Sequence, residues 1–378
     1  MSFRAGLLGG GLQGTEAACL ARWAGWQFTL ADSRQAPPAS GLVDDFVHLD
    51  IKTFHDLDSA FKQCDLVIPC CENQTTLSLL TEWNRQTGHP VAFDAEAYRI
   101  SSDKLLSNQL FRDINIPAPQ PWPEASFPLI AKPAVASGSR GVTLLEDHRD
   151  FDRLFPDGNI AGWVVEEYCP GPSYSLEVTG RPGHYQAWAT TALEMDEVCD
   201  CREVRAPAQL PAAADEEFRK ISLAIAEALP LKGLMDVEII AAPQGLRVLE
   251  IDARLPSQTP TVVFWSAGQN LLVRLAENFV TGPLPDAVLS ATPQAAVIYG
   301  HVAVSPAGVK AAGEHIMANA GPLTLRNNFF EADLALTNHQ PGAAFWVATL
   351  IMMDKSPENL AGRRREMWAR LRRAATLS

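Results

Sequence analysis

Asp236 and Glu238, followed by Glu250 and Asp252, set four carboxylates at alternate positions of two short apolar stretches, 234–241 and 246–253. A β-strand turns successive side chains to opposite faces, so each pair projects from one side of a sheet. The linker Ala242-Pro243-Gln244-Gly245 has turn chemistry and predicts antiparallel neighbours. Val237, Ile239, Leu249 and Ile251 then point the other way. Four like charges this close are costly unless divalent cations occupy the gap, and an oxygen-only cage suits magnesium held against nucleotide phosphates. The competing reading is an ordinary solvated hairpin face.

A second feature lies upstream. Lys132 ends a predicted strand, 129–133, and is followed by Ala136-Ser137-Gly138-Ser139-Arg140-Gly141. A lysine ammonium is a compact charge suited to phosphate oxygens, and a small flexible loop offers backbone amides, the hydroxyls of Ser137 and Ser139, and Arg140. Lys104, near the start of a helix expected over 101–114, is grouped with these nucleotide-binding residues, as is Gly141. Glu166, Glu167, Tyr168 and Cys169 sit on or just beyond a predicted strand whose backbone groups suit the edge of a base.

The elements that must carry these residues read as α/β and then α+β. Strands at 3–8, 27–31, 66–69 and 91–93 alternate with helical segments, which argues for a parallel sheet. Gly9-Gly10-Gly11-Leu12-Gln13-Gly14 opens the first helix, and Asp32 falls near the place of a ribose-binding acid. Two readings stand for that loop: a dinucleotide fingerprint, or a shared α/β scaffold whose crevice holds another ligand. Pro117, Pro119, Pro121 and Pro123 form an extended linker that no helix tolerates. Further helices are expected at 215–227 and 270–281, strands at 295–304 and 343–353, and a surface helix from 359. The expected division is an N-terminal Rossmann-like domain over 1–100, a small lid subdomain over 101–178 and a large subdomain over 179–378.

With 378 residues, 47% of them hydrophobic, the chain has the composition of a folded protein of two or three domains. Its formal charge of −13 argues against nucleic-acid binding, which requires basic patches. Seven cysteines, an odd number without zinc-ribbon spacing, suggest neither a disulfide framework nor structural zinc, and Cys199-Asp200-Cys201 reads as a reduced loop. No basic-then-apolar leader precedes the first strand and no stretch approaches a membrane span, so a cytoplasmic setting without a membrane partner is expected. A homodimer is compatible with the sequence, which does not fix the oligomeric state.

The order of these features resembles the ATP-grasp superfamily, in which two α+β subdomains hold Mg-ATP between them and a Rossmann-like domain precedes them. The resemblance implies ATP and magnesium, with two ions, as cofactors. It implies metal ligands at Glu238, Glu250 and Asp252, where Asp252 replaces the asparagine of a Glu-x-Asn-x-Arg pattern, and a catalytic Arg254 that steadies an acyl phosphate. Residues 93–101, 231–238 and 250–261, above all Ser257-Gln258-Thr259-Pro260-Thr261, look more specifically like the pyrrolysine-biosynthesis ligases. That family joins 3-methyl-D-ornithine to the ε-amine of L-lysine at the expense of ATP. The analogy places L-lysine at Leu12, Gln13 and Glu72, and the D-ornithine-type substrate near Glu177, Asp236, Arg254, Ser257, Gln258 and Thr259. Gly11 stands where members of that family carry lysine. The likeness beyond about residue 305 is too thin to transfer any role.

The alternatives are another amino-acid or purine-pathway ligase of the superfamily, an NAD-linked dehydrogenase using the glycine-rich N-terminus, and a nucleotide-binding regulator without turnover. The dehydrogenase reading leaves Lys132 and the acidic hairpin idle.

Overall fold

The computed structural model describes residues 3–136, 138–285 and 296–375. Ser137 of the expected phosphate loop and Ala295 at the start of an expected strand lie outside the described residues. Three sheets organise the chain. The first is four parallel strands in the order Asp45–His48, Gln27–Asp32, Arg4–Leu8, Leu66–Pro69. The second is a three-stranded antiparallel sheet with Leu129–Pro133 between Thr143–Leu145 and Trp163–Glu167. The third has eleven strands, with the acidic hairpin at one edge: Gly245–Asp252 pairs with Gly233–Ala242, which pairs with Ser173–Arg181.

One apolar core explains how the N-terminal sheet is attached. The helix Leu12–Trp23 buries Ala17, Ala18, Leu20 and Ala21 against Leu7 and Leu30 on one side, and against Val263, Phe264 and Leu272 on the other. The latter belong to the helices Thr259–Ala267 and Leu271–Ala276. This helix is apolar nearly all round, as a helix sandwiched between two layers must be. A second core packs the helix Ala212–Ala228 beneath the large sheet, where Val237, Ile239, Val248 and Ile251 form the hairpin's apolar face.

Several local expectations change. The helix expected over 101–114 runs Lys104–Asp113, because Asp103 caps it by accepting from the Leu105 amide at 2.9 Å, and Ser101 instead ends a preceding helix, Ala95–Ser101. The strand expected at 91–93 is a single bridge from Val91 to Val67, since Pro90 precedes it and Asp94 already caps the next helix. The expected helix at 270–281 is confined to Leu271–Ala276. The strands Thr191–Met195, Cys201–Ala206, Thr324–Phe329 and Ala332–Thr337 are additions. The division expected at 178 falls inside the strand Ser173–Arg181, and that at 100 inside the helix Ala95–Ser101.

Burial in the large sheet also gives an acid-sensitive position. His301 is 3% exposed, its Nδ1 lies 2.9 Å from Thr349 Oγ1, and burial pushes its pKa down to about 3. Below its ordinary value, 6.5, the unfolded chain takes up a proton that the folded chain refuses, so stability falls as the pH is lowered. Compared with His301→Gln, the wild type should lose about 1.4 kcal/mol per pH unit between about pH 6 and 4, read from unfolding midpoints.

Candidate active site

The hairpin register decides the geometry. Asp236 lies opposite Asp252 and Glu238 opposite Glu250, with a bulge immediately after Glu238. The neighbouring strand continues both rows, because Asp236 also faces Glu177 and Glu238 faces Ser175. Two transverse lines therefore cross three strands on one sheet face: Glu177–Asp236–Asp252 and Ser175–Glu238–Glu250. Glu177 and Ser175 are completely withdrawn from solvent and Asp236 is buried, while Glu238, Glu250 and Asp252 are half-buried. The solvated-face reading is thereby excluded.

Burial raises Glu177, Asp236, Glu238 and Asp252, and crowding adds to the rise at the last three. Burial first, then the neighbouring Glu250 and Asp252, push Glu238 up to about 8. Asp252 rises to about 7 through burial, although Arg254 opposes the rise. Burial takes Glu177 up to about 7. Asp236 is raised strongly by burial and by Glu238 and Asp252. Both oxygens of Glu177, Oδ1 of Asp236 and Oδ1 of Asp252 are buried without a hydrogen-bond partner. A surface of orphaned acceptors requires cations or ammonium donors to complete it. The oxygen-only set Glu238, Glu250 and Asp252 fits a hard divalent ion, and Glu177 with Asp236 fits an amine.

Cationic groups arrive from elsewhere in the chain. Lys104, the first residue of its helix, reaches Glu250 Oε1 at 2.9 Å and the Ala136 carbonyl at 2.7 Å. It thereby ties the loop after Lys132 to the acidic hairpin. Lys132 pairs with Glu166 at 2.6 Å and donates to the Leu249 carbonyl at 3.3 Å. Burial opposes its charge, but Glu166 outweighs that and holds the ammonium protonated. Glu166 also accepts from Asn108 at 3.2 Å, so its side chain is committed to the lysine rather than to a base. The amides of Glu167 and Tyr168 already donate to the carbonyls of Gln120 and Pro128. Tyr168 is exposed and Cys169 buried. Ser139 adopts φ +54° and donates to the Cys199 carbonyl, and Gly141 at φ +79° packs where a Cβ would meet Pro133 at 2.9 Å. Arg140 is exposed.

Arg254 joins the two halves of the site. Its guanidinium lies 2.5 Å from Asp252 and 2.7 Å from Glu72, and Glu72 accepts from Gln13 Nε2 at 3.0 Å. A chain of contacts thus runs Gln13–Glu72–Arg254–Asp252, from the first helix to the hairpin, with Leu12 at the helix start. Asp252 and Glu72 together keep the guanidinium firmly charged despite its burial. By contrast, Asp32 accepts from the Gly10 amide at 2.6 Å and pairs with Arg34 at 2.8 Å, while Pro37 packs over Gly10. That acid is consumed within its own loop, which counts against the dinucleotide reading.

The same cavity holds residues that motif reasoning passed over. Ser257 Oγ donates to Glu314 Oε2 at 2.7 Å, and His315 Nδ1 lies 2.9 Å from Asp200 Oδ1. Glu314 and His315 belong to a four-residue 3-10 helix, Glu314–Met317, too short for a periodicity to reveal it. Asp200 lies in the loop set aside as merely reduced.

Comparison with known proteins bears on this geometry. Residues 101–258 match the ATP-grasp domain family. The 3-methyl-D-ornithine–L-lysine ligase of Methanosarcina barkeri is 42% identical over 277 residues, 73% of each chain. The chain belongs to the 3-methyl-D-ornithine–L-lysine ligase family. A second member of this ligase family, from Methanosarcina acetivorans, is 40% identical over the same share of each chain. The ligase fold extends to more distant structures. N5-carboxyaminoimidazole ribonucleotide synthetase in its ADP complex superposes with a TM-score of 0.72, covering 98% of both chains at 14% identity. The Aspergillus clavatus carboxyaminoimidazole ribonucleotide synthase complexed with ATP gives 0.70, covering 98% of this chain and 99% of that one at 16% identity. These two show a shared fold alone. No helix among the described residues is long and apolar enough to cross a membrane.

Proposed function

We propose that this ATP-grasp ligase activates the carboxylate of a D-ornithine-type amino acid, 3-methyl-D-ornithine, as an acyl phosphate and transfers it to the ε-amine of L-lysine. ADP and phosphate are the other products, and the reaction belongs to pyrrolysine biosynthesis. The observation that carries this reading is Arg254, held between the acidic hairpin and Glu72 where nucleotide and amino-acid sites would meet.

The residues divide the work by chemistry. Lys132 and Lys104 offer ammonium groups to the phosphates, and the loop containing Ser139, Arg140 and Gly141 closes over them. The backbone from Glu166 to Cys169 flanks the base. Glu238, Glu250 and Asp252 would hold magnesium, which when bound neutralises charge between the triphosphate and the attacking carboxylate. Two ions are supported by two opposed acids and a third beside them. Arg254 faces the activated carboxyl, with Ser257, Gln258 and Thr259 beside it. Glu177 and Asp236, lacking partners, suit the donor's ammonium groups. Leu12, Gln13 and Glu72 orient lysine so that its amine, once deprotonated, is aligned with the acyl carbon. Seven unpaired cysteines and the ATP requirement support a cytoplasmic setting.

The test is direct. Incubation with Mg-ATP, D-ornithine and L-lysine should give ADP, phosphate and a new isopeptide by mass spectrometry. ADP release should depend on the ornithine. AMP as the nucleotide product, or turnover of NADH, would overturn the assignment.

A further inference from the structure

The turn at 257–259 is held by a residue from the other end of the chain. Gln258 adopts φ +71°, a left-handed conformation costly for a side chain with a Cβ, and it precedes the helix Thr259–Ala267 without capping it through its own side chain. The cap comes from Glu16. Its Oε1 accepts from the Thr261 amide at 2.6 Å across 245 positions of sequence, and the carboxyl is 2% exposed. Burial pushes Glu16 up to about 7, while the Thr261 side chain and the amides of Thr261 and Gln258 draw it down. The supporting contacts are rigid. Leu20 accepts from Asn270 Nδ2 at 2.8 Å, and Trp23 stacks on Phe264 with centroids 4.8 Å apart. Glu16 also sits one turn beyond Leu12 and Gln13 on the same helix.

We propose that Glu16 is a positioning residue for the amino-acid donor: from the N-terminal domain it fixes Ser257, Gln258 and Thr259 in their strained turn. One helix then carries the acceptor-facing residues at its start and the clamp on the donor turn one turn later. This inference rests on the reading of 257–259 as the donor turn.

Two conservative variants of the full chain separate the roles. Glu16→Gln keeps the reach and an acceptor oxygen; Glu16→Asp keeps the charge but falls short by a methylene. Glu16→Asp should raise the KM for D-ornithine at least ~10-fold with the ATP KM within about 2-fold, and Glu16→Gln should stay within about 3-fold on both. Amide exchange over 258–262 should quicken in Glu16→Asp and remain near wild type in Glu16→Gln. A role confined to general stability predicts both KM values moving together. That result, equal behaviour of the two variants, or unchanged exchange in Glu16→Asp would overturn the inference. A wild type inert toward D-ornithine would instead sink the proposed function, and the exchange comparison would still decide whether Glu16 holds the turn.

Discussion

Glu250→Gln should reduce ADP formation by at least ~10³-fold while leaving the protein folded. Glu250 stands opposite Glu238 and beside Lys104, at the exposed end of its row. Glutamine keeps the volume but offers a neutral oxygen, a poor partner for a hard divalent ion. The structural cost is small because the Lys104–Glu250 pair is partly solvated, with Glu250 36% exposed, and such pairs contribute ~1 kcal/mol or less. Removing one charge also relieves the repulsion that raises Glu238. A coupled ADP assay alongside a thermal melt checks both halves. Turnover near wild type would remove Glu250 from the proposed metal set.

The second large effect is expected at Arg254. Arg254→Met should abolish isopeptide formation to the limit of detection, a loss of ~10³-fold or more, because it removes the planar fork that the guanidinium beside Asp252 and Glu72 offers to an acyl phosphate. Stripping a buried cation from between two carboxylates also destabilises the fold, by ~3–5 kcal/mol where burial is complete. Arg254→Lys restores the charge without the bidentate geometry. It should therefore recover stability in thermal unfolding much more than activity by mass spectrometry. Equal recovery of both would reduce Arg254 to a structural cation.

The hairpin was legible because a two-residue period, apolar alternates and a Pro-Gln-Gly turn all indicate the same local geometry. Local pattern could not reveal the third row member, Glu177, as the neighbour of Asp236, because pairing between 173–181 and 233–242 spans more than fifty positions. Resemblance to a known family supplied that placement instead. Lys104 was legible near the start of a helix but not as its first residue; the cap at Asp103 is set by a single side chain inside a run with good helical periodicity. Asp32 shows the opposite failure. Its position after the second strand fits a nucleotide-binding acid, yet Arg34 two residues later takes both of its oxygens. Glu16 left only the faint signal of the one acid on a largely buried helix, and Glu314 none, since it opens a single 3-10 turn whose value comes from tertiary contact with Ser257.

The Gln13–Glu72–Arg254–Asp252 chain carries a consequence for turnover. On the proposed assignment, the carboxylate meant for the incoming lysine is already occupied by the arginine meant for the activated donor. On that assignment an arriving amine would share Glu72 with Arg254, so that acceptor arrival and the grip on the hairpin are coupled through one carboxylate.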